Sequence, residues 1–599
     1  MPGFKEMDLS TLKPTDARDL LLAIDGRIGD HADELARLCG YLPLALRAAG
    51  SILANTEKLE PADYINELRA ERTRLERLGS EEVEIDVKAS FGLSYARLPD
   101  DLKRVLRMAS VFPTDFDAEA EEAVCEDMGH RYLNELVRWN LVDYLEATKE
   151  TGRYRLHDLI RVFATVRLNE EDNEKARFDA HRRHSEHYRR LLSTADKLYQ
   201  KGRGNVLAGL KLFDREWVNI KAGWTWAERI ALQARQSGPS EISSEKRLAL
   251  GLCVSYLTDA GDYVLSLRLR PYDMIRWLET ALDAAQKLKN RKGESVVLGN
   301  FGIAYKNLGE TRTSLKYHEQ SLAIARDIGD RKGEGNALSS LGVAYKNLGV
   351  YNKALKLQKQ ALVIAREIGN RRGEGTALNR LGMVYKNRGE YVKARELHEQ
   401  ALAIAIEIGN RRGEGTALNR LGIVYKNLAV QYKGKNPDKW QNLLQKSREL
   451  HEQALAVAKE IGDRRGEGAA LCNMGSVFHS LGDNSKAIEL YKQHLDIARE
   501  IGDRRGEGAV LGYMGIVCSE LGDFRKAIEL QDQSLAIARD IADRRREGNA
   551  LWNKSLALDK NGDRTQAIHY AGLALEIRAQ IESPFVDEVR LKLVEWQKK

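Results

Sequence analysis

The residues of this chain best suited to chemistry stand in a segment that it repeats. IGNRRGEGTALNRLG occurs at Ile368 to Gly382 and again, letter for letter, at Ile408 to Gly422. Paired arginines beside closely spaced glycines could cradle a phosphate, because the N–H groups of a Gly-rich turn and a guanidinium both donate to anionic oxygens. Two features speak against that use. No apolar strand precedes the glycines, and Glu374 falls in the first turn of the following helix, where a carboxylate repels an anion and suits the positive end of the helix dipole. Glu294, Glu334, Glu414, Glu467, Glu507 and Glu547 hold the matching place in the other copies. The segment therefore reads as a helix joint, with Gly369 closing one helix in the left-handed conformation and Asn370 capping the next through its side-chain oxygen.

A second set of donors lies on the helix that each joint begins. Lys306, Lys346, Lys386 and Lys426 are equivalent in four successive copies, and Asn307, Asn347, Asn387 and Asn427 follow them. One or two turns earlier stand Asn300, Arg380, Arg420, Asn473 and Asn553, with Asn379 and Asn419 beside the arginines. Residues three and four apart share one side of a helix, so the set is expected to form a polar ladder on the exposed side of the first helices. Such a ladder can hold an extended backbone and acidic side chains; the competing reading is that duplicated units solvate a surface with their lysines. In the last three copies the lysine place is taken by His479, Ser519 and Asp559, so the basic character should fade toward the C-terminus. Catalytic and metal constellations are not found: there is no H-E-x-x-H, no G-x-S-x-G, and Cys39, Cys125, Cys253, Cys472 and Cys518 lack C-x-x-C spacing. No catalytic residue and no metal ligand is expected, and the chain is not expected to be an enzyme.

The elements that carry these residues recur with a period of 40, at 291–330, 331–370, 371–410, 464–503, 504–543 and 544–583, with a unit 13 residues longer at 411–463. Within one unit Leu378, Leu381, Gly382 and Tyr385 fall on one helical stripe and Ala394, Ala401 and Ile404 on a second, after a break at Gly389. Stacked helix pairs of this kind make a solenoid, each unit burying its apolar face on the next. The LG, tyrosine, turn glycine and spaced alanines resemble the tetratricopeptide repeat, in its 40-residue form. That resemblance implies a right-handed α-superhelix whose concave groove, lined by the first helix of each unit, binds a protein or peptide partner, an acidic one where the ladder is basic. A degenerate helix pair is expected at 243–290, and a capping helix at 584–599 with Val586, Val589, Leu591, Leu593 and Trp596 on its apolar face. In the long unit Asn436 and Pro437 mark a displaced turn, and the insertion at 429–441, with Trp440, reads as a tolerated extension or a partner-specific protrusion.

The first 242 residues follow another pattern. ADELARLCGYLPLALRAAGSILAN at 32–55 resembles the GLPL motif of NB-ARC and related STAND signalling ATPases, with Tyr41 in place of the usual glycine. SFGLSYARLPDDLKRVLRMASVFPTDF at 90–116, then LVDYL and YRLHDLIRVFA, resemble the winged-helix subdomain of that family, and Leu156, His157 and Asp158 correspond to its MHD motif. The resemblance implies that Pro43 packs near the adenine and that His157 contacts the β-phosphate of ADP. The chain is thus read as a partial NB-ARC helical subdomain (1–80), a winged-helix domain (81–170) and a helical connector (171–242) ahead of the degenerate pair (243–290), the seven repeats (291–583) and the cap (584–599). The overall class is all-α. A G-x-x-x-x-G-K-[ST] loop and an apolar strand ending in paired acids are missing, so ADP or ATP is expected only with a complementing nucleotide-binding domain, and the chain reads as a fragment, a truncated product or one half of a split system.

Composition bounds the remaining choices. Of 599 residues 31% are charged and 43% apolar, with 10 prolines, which suits a helical protein, and a net charge of +7 over that length implies no general affinity for polyanions. No apolar run of membrane-spanning length occurs, and the protein is expected to be cytoplasmic, with reduced thiols. The helix in MGHRYLNELVRWNLVDYL offers Arg131 and Arg138 but also Glu135 and several apolar residues, a poor set for reading bases, so nucleic acid is a disfavoured partner. The reading that unites these expectations is the sensor arm of a STAND-type signalling protein, which would oligomerise where a nucleotide-binding domain is present. A repeat scaffold with a relic front half, or a winged-helix transcriptional regulator, are the alternatives.

Overall fold

The computed structural model describes residues 11–77, 82–145, 152–201, 205–235, 242–259, 262–583 and 585–598. The expected boundary at 80/81, the stretch 146–151 inside the wing-like segment, the end of the expected connector and the 583/584 junction touch residues outside that set. The chain forms two compact units, one of residues up to 190 with 216–227, the other of 191–215 with 228–599. The expected connector is therefore shared between the two.

The first unit opens with helices α1 (Pro14–Ile24), α2 (Ala32–Leu38), α3 (Pro43–Asn55), α4 (Pro61–Arg77) and α5 (Glu82–Arg97). Pro43 stands at the first turn of α3, where its fixed φ suits the helix and its missing N–H leaves nothing unpaired. Behind it Ala45, Leu46, Ala49 and Ile52 are buried, and Gly50 lets Ile24 of α1 approach: a Cβ there would sit 3.1 Å from the isoleucine side chain. Helices α6 (Asp100–Ala109), α7 (Ala118–Cys125) and α8 (Arg131–Arg138) follow, with strands β1 (Phe116–Asp117), β2 (Asp143–Leu145) and β3 (Arg153–Arg155). The strands pair antiparallel in the order β1-β3-β2, Phe116 and Tyr144 both opposite Tyr154. Phe112 stacks on Phe116 at 4.1 Å. Arg153 ties this sheet to residue 216 of the same unit, donating to Glu216 at 2.6 Å and to Asp115 at 2.7 Å. Helix α9 (Asp158–Glu171) starts at His157; α10 (Glu174–Lys201) and α11 (Asn205–Ala234) contribute to both units.

The second unit continues with α12 (Ser244–Thr258), α13 (Asp262–Arg268) and α14 (Pro271–Lys287). The expected degenerate pair is thus three helices: Pro271 forces a break, and α13 stands between the two long partners. The repeats then run as α15 (Arg291–Leu308) and α16 (Thr311–Asp327), α17 (Arg331–Asn347) and α18 (Tyr351–Glu367), α19 (Arg371–Asn387) and α20 (Tyr391–Glu407), and α21 (Arg411–Val430) and α22 (Pro437–Glu460). Three further pairs complete the array: α23 (Arg464–Leu481) and α24 (Asn484–Glu500), α25 (Arg504–Glu520) and α26 (Phe524–Asp540), and α27 (Arg544–Lys560) and α28 (Arg564–Gln580), with α29 (Val586–Lys598) at the end.

The joint between units follows from its residues. Gly369 adopts φ +63°, and the Asn370 Oδ1 accepts from the Gly373 N–H at 2.9 Å. Glu374 does more than meet the helix dipole, because it is buried and accepts from Arg366 Nε at 2.7 Å and Arg371 Nη1 at 2.5 Å. Arg371 also reaches Glu407 of α20, so the first arginine of each joint clamps the two helices of its own unit, while Arg366 reaches Glu374 from the unit before. Gly382 is small because the His398 ring of α20 lies against it; a Cβ would meet that ring at 2.7 Å. In the long unit Trp440 is half-buried and packs with Leu443 against Ala429, Leu444 and Val477, so the extension rests on the next unit. On α29 Val589, Leu593 and Trp596 are buried, each worth about 1.5–3 kcal/mol, whereas Leu591 is 72% exposed. The expectation for Leu591 is corrected here: 589, 593 and 596 are spaced as one helical face, and 591 lies on the other.

The array curls until its beginning meets its later units. Arg505 donates to the Asn307 side chain at 3.0 Å and to its carbonyl at 2.7 Å, 198 residues away. Arg268 donates to the Ile501 carbonyl at 3.0 Å, and Arg312 pairs with Glu582. The first helices are thereby brought around a narrow interior. Among the described residues no helix is long and apolar enough to cross a membrane.

Candidate functional site

The lysine row lies in that interior. Lys306, Lys346, Lys386 and Lys426 sit near the C-terminal ends of α15, α17, α19 and α21, one per unit, and all four are half-buried, not on an open outer face. The sharp curl carries them close to cations from distant units. Burial, and then Arg505, Arg380 and Arg465, push the Lys306 ammonium down to about 8. Burial, and then Arg420, Arg545, Lys386 and Lys306, do the same for Lys346, also to about 8. Lys386 is pushed down by burial and Arg420, and Lys426 chiefly by burial. Arg420 is lowered to about 10 by burial and Arg380, and Arg380 is lowered by burial. Lys306, Lys346 and Lys386 make no ion pair or hydrogen bond with any described residue, whereas Lys426 donates to Ser476 Oγ at 2.5 Å. Arg465 and Arg505 pair with Asp503 and Asp543, but the three lysines have no counterion among the described residues, a lack that an anionic ligand would relieve.

The amide residues divide differently from the expected ladder. Asn379 is 9% exposed and its Oδ1 faces His398 Nδ1 at 2.8 Å, inside the helix pair. Asn419 faces His451 at 2.6 Å and accepts from Asn473 at 3.0 Å. Asn379 is thus turned from the interior onto His398, whereas Asn419 is half-buried and lines a pocket beside Arg420. Asn300 donates to the Leu257 carbonyl at 2.9 Å, which fixes it to α12. Asn307 is engaged by Arg505, and the Asn347 carbonyl lies 3.5 Å from Arg545. Arg380 hydrogen-bonds Ser339 Oγ across to α17, while Arg420 keeps its buried Nε without a partner. Asn387 is exposed; Asn427 and Asn553 are half-buried.

Sequence reasoning missed the opposite wall. It read the second arginine of each joint as part of a hinge, yet Arg465, Arg505 and Arg545 are among the charges that act on Lys306 and Lys346, beside Arg380 and Arg420. The positive interior therefore does not simply fade where His479, Ser519 and Asp559 replace lysine; His479 is itself taken up by Glu520 at 2.7 Å. The available signal was the recurrence of a second arginine after one that already has two carboxylate partners.

In the first unit the Nδ1 of His157 accepts the Leu159 N–H at 3.3 Å, which caps α9 and leaves Nε2 as the donor. Arg161 at 3.0 Å holds the Asp158 carboxyl below the usual range. Helix α3, which Pro43 begins, is joined to the sheet by Arg47, donating to Asn140 at 3.0 Å and to Asp143 at 3.2 Å, and by Asn140 donating to Ser51 at 2.5 Å. Both residues carried over from the family resemblance thus stand at helix starts, and the imidazole has a free N–H of the kind a phosphate accepts. On α8 Arg131 faces Glu135 at 3.5 Å and Arg138 is exposed.

Comparison with known proteins identifies the repeats of the second unit. Family models described as tetratricopeptide repeat match residues 297–332 and, in the second unit further on, 333–407, 373–429, 439–500 and 506–580. The regulatory protein AfsR of Streptomyces griseus is 28% identical over 182 residues, 30% of this chain and 18% of that protein. A putative disease resistance RPP13-like protein of Arabidopsis thaliana is 25% identical over 170 residues, 26% of this chain and 19% of that protein. The matched stretches thus span less than a fifth of these relatives. The crystal structure of a Signal Transduction ATPase with Numerous Domains carrying a tetratricopeptide repeat sensor, from Pyrococcus horikoshii, aligns over 97% of this chain and 75% of that one, at 16% identity and a TM-score of 0.49.

Proposed function

For a chain whose residues 297–580 are tetratricopeptide repeats, we propose a sensor role in which the interior of the array grips an acidic, extended segment of a protein partner. The observation that carries this reading is the set Lys306, Lys346 and Lys386, half-buried, mutually repelling and without counterions among the described residues. Carboxylates entering the interior would stabilise the charged forms of these lysines and use Arg420 Nε, which has no partner among the described residues. Arg380, Arg465 and Arg505 supply the rest of the positive field. The amides contribute less than their number suggests, since Asn300, Asn307, Asn379 and Asn419 are occupied in holding the array together.

The likeness of part of the chain to a bacterial regulatory protein and to plant disease resistance proteins supports placing this sensor in a signalling protein. In that reading Pro43 and His157 touch ADP held by a complementing nucleotide-binding domain, the winged-helix-like sheet and helices transmit partner binding to it, and this chain by itself hydrolyses nothing. The binding half is tested with a fluorescent polyglutamate peptide. Tight, salt-sensitive binding by the wild type and its loss in Lys346→Glu/Lys386→Glu is the expected result; equal binding by both removes the interior from the reading. The nucleotide half is tested by equilibrium dialysis of ADP in the presence of a P-loop domain, with His157→Ala as the comparison.

A further inference from the structure

Closure of the array creates a cavity that no single repeat contains. The segment from α13 into α14, the C-terminal half of α15 and the joint leading into α25 enclose about 740 Å³, inside the range of about 300–1,000 Å³ typical of small-ligand sites. Its wall is of two kinds. Leu265, Leu267, Met274, Ile303 and Ile541 make it apolar, and Ile303 leaves 44% of its surface uncovered there. Lys306, Arg268, Arg465, Arg504 and Arg505 make it cationic. Most of these cations are already matched: Arg268 by Asp214 at 2.7 Å, Arg465 by Asp503 at 3.2 Å, Arg504 by Glu507 at 2.5 Å and Arg505 by Asp543 at 3.2 Å. Lys306 has no such partner among the described residues.

We infer that this cavity binds a small amphipathic carboxylate, its apolar part against Leu265, Met274, Ile303 and Ile541 and its carboxylate on the Lys306 ammonium. The inference goes beyond the acidic-segment reading; it shares Lys306, Arg465 and Arg505 with it, but neither Lys346 nor Lys386 lines the cavity. The ligand carries one charge for a physical reason. One carboxylate supplies what Lys306 lacks, a neutral ligand would leave the lysine buried and unpaired, and a polyanion would meet Asp503 and Asp540, which also line the wall. The shared chemistry, an apolar group ending in a carboxylate, could come from a free acyl acid or from the C-terminal residue of a peptide. Since the wall is contributed by both the start of the array and its fifth and sixth units, an occupied cavity holds them together.

The test is titration calorimetry on the full chain with octanoate and N-acetyl-leucine, each against its neutral counterpart, 1-octanol and N-acetyl-leucinamide. One of the two acids should bind one to one, its neutral counterpart at least about tenfold more weakly, as loss of a buried charge-assisted hydrogen bond requires. Which acid binds identifies the source. Lys306→Met should weaken that acid at least about tenfold while Lys346→Met leaves it within about twofold, and Ile303→Asp, which keeps the lysine, should weaken it as well. Circular dichroism shows that the variants are folded. Absence of saturable heat with both acids, equal affinity for a neutral counterpart, or an unchanged Lys306→Met overturns the inference. Loss of polyglutamate binding in Lys346→Glu/Lys386→Glu is scored separately, so either reading can fail without the other.

Discussion

Removing a positive charge from the interior should stabilise the empty protein, and Lys346→Met measures by how much. Methionine keeps the apolar stem of the lysine and drops the ammonium. In the folded chain Lys346 is brought from 10.5 to about 8 by burial and by Arg420, Arg545, Lys386 and Lys306. Each unit of displacement is about 1.4 kcal/mol, so the charged lysine costs about 3 kcal/mol, or about 2–3 kcal/mol with its remaining contact with water taken into account. The folded value lies below the unfolded one, so between about 8 and 10.5 the unfolded chain holds more protons and wild-type stability gains with rising pH. Below pH 8 the whole penalty is present. Lys346→Met should accordingly be more stable than the wild type by about 2–3 kcal/mol near pH 7, and that advantage should shrink to nothing as the pH approaches 10.5. Urea unfolding followed by far-UV circular dichroism, in buffers without multivalent anions, reads the difference at about pH 7, 8.5 and 10. A destabilised variant, or an advantage that does not change with pH, would refute the view that the interior stores uncompensated charge.

Three other perturbations probe the joints, the packing and the closure. Glu374→Ala leaves Arg366 and Arg371 without their shared acceptor and should lower the unfolding free energy from urea titration by about 1–3 kcal/mol; because the two arginines outweigh burial and hold this carboxyl below its ordinary range, its contribution is present at neutral pH and is lost as the pH falls through that range. Gly382→Ala forces a methyl group into the His398 ring at 2.7 Å and should cost about 1–3 kcal/mol, whereas at Gly369 nothing lies within 4 Å and alanine should cost only about 1 kcal/mol, for the left-handed φ of +63°. Arg505→Ala removes both hydrogen bonds to Asn307 and should widen the superhelix, read as a larger radius of gyration of the full chain in small-angle scattering; an unchanged radius would mean that Arg268 and Arg312 suffice to hold it closed.

The joint was legible residue by residue. Gly369 and Asn370 act over three or four positions of chain, and hydrogen bonds of that reach are specified by residue type alone, whereas Glu374 also takes Arg366 from eight positions back. The same holds for the helix pairs, whose apolar spacing needs only the helical period. Leu591 was misread because five apolar residues in a short helix exceed what one face can hold, and only the contacts of α29 select Val589, Leu593 and Trp596. Asn379 was misread because its neighbour Arg380 was taken as its companion, while its partner, His398, stands on the next helix.

What the sequence determined by itself is therefore the period, the caps, the pairing of helices and the recurrence of lysine at one place in four units. Whether those lysines meet water or one another was decided by tertiary structure. Each unit turns a little relative to the last, and the turns add up until Arg505 reaches Asn307 and Arg465 and Arg545 come into the field of Lys306 and Lys346. No pattern inside one unit encodes that sum, because it depends on small rotations accumulated over several interfaces. The electrostatics of the interior belong to the curl, although every residue that makes them is visible in the repeat.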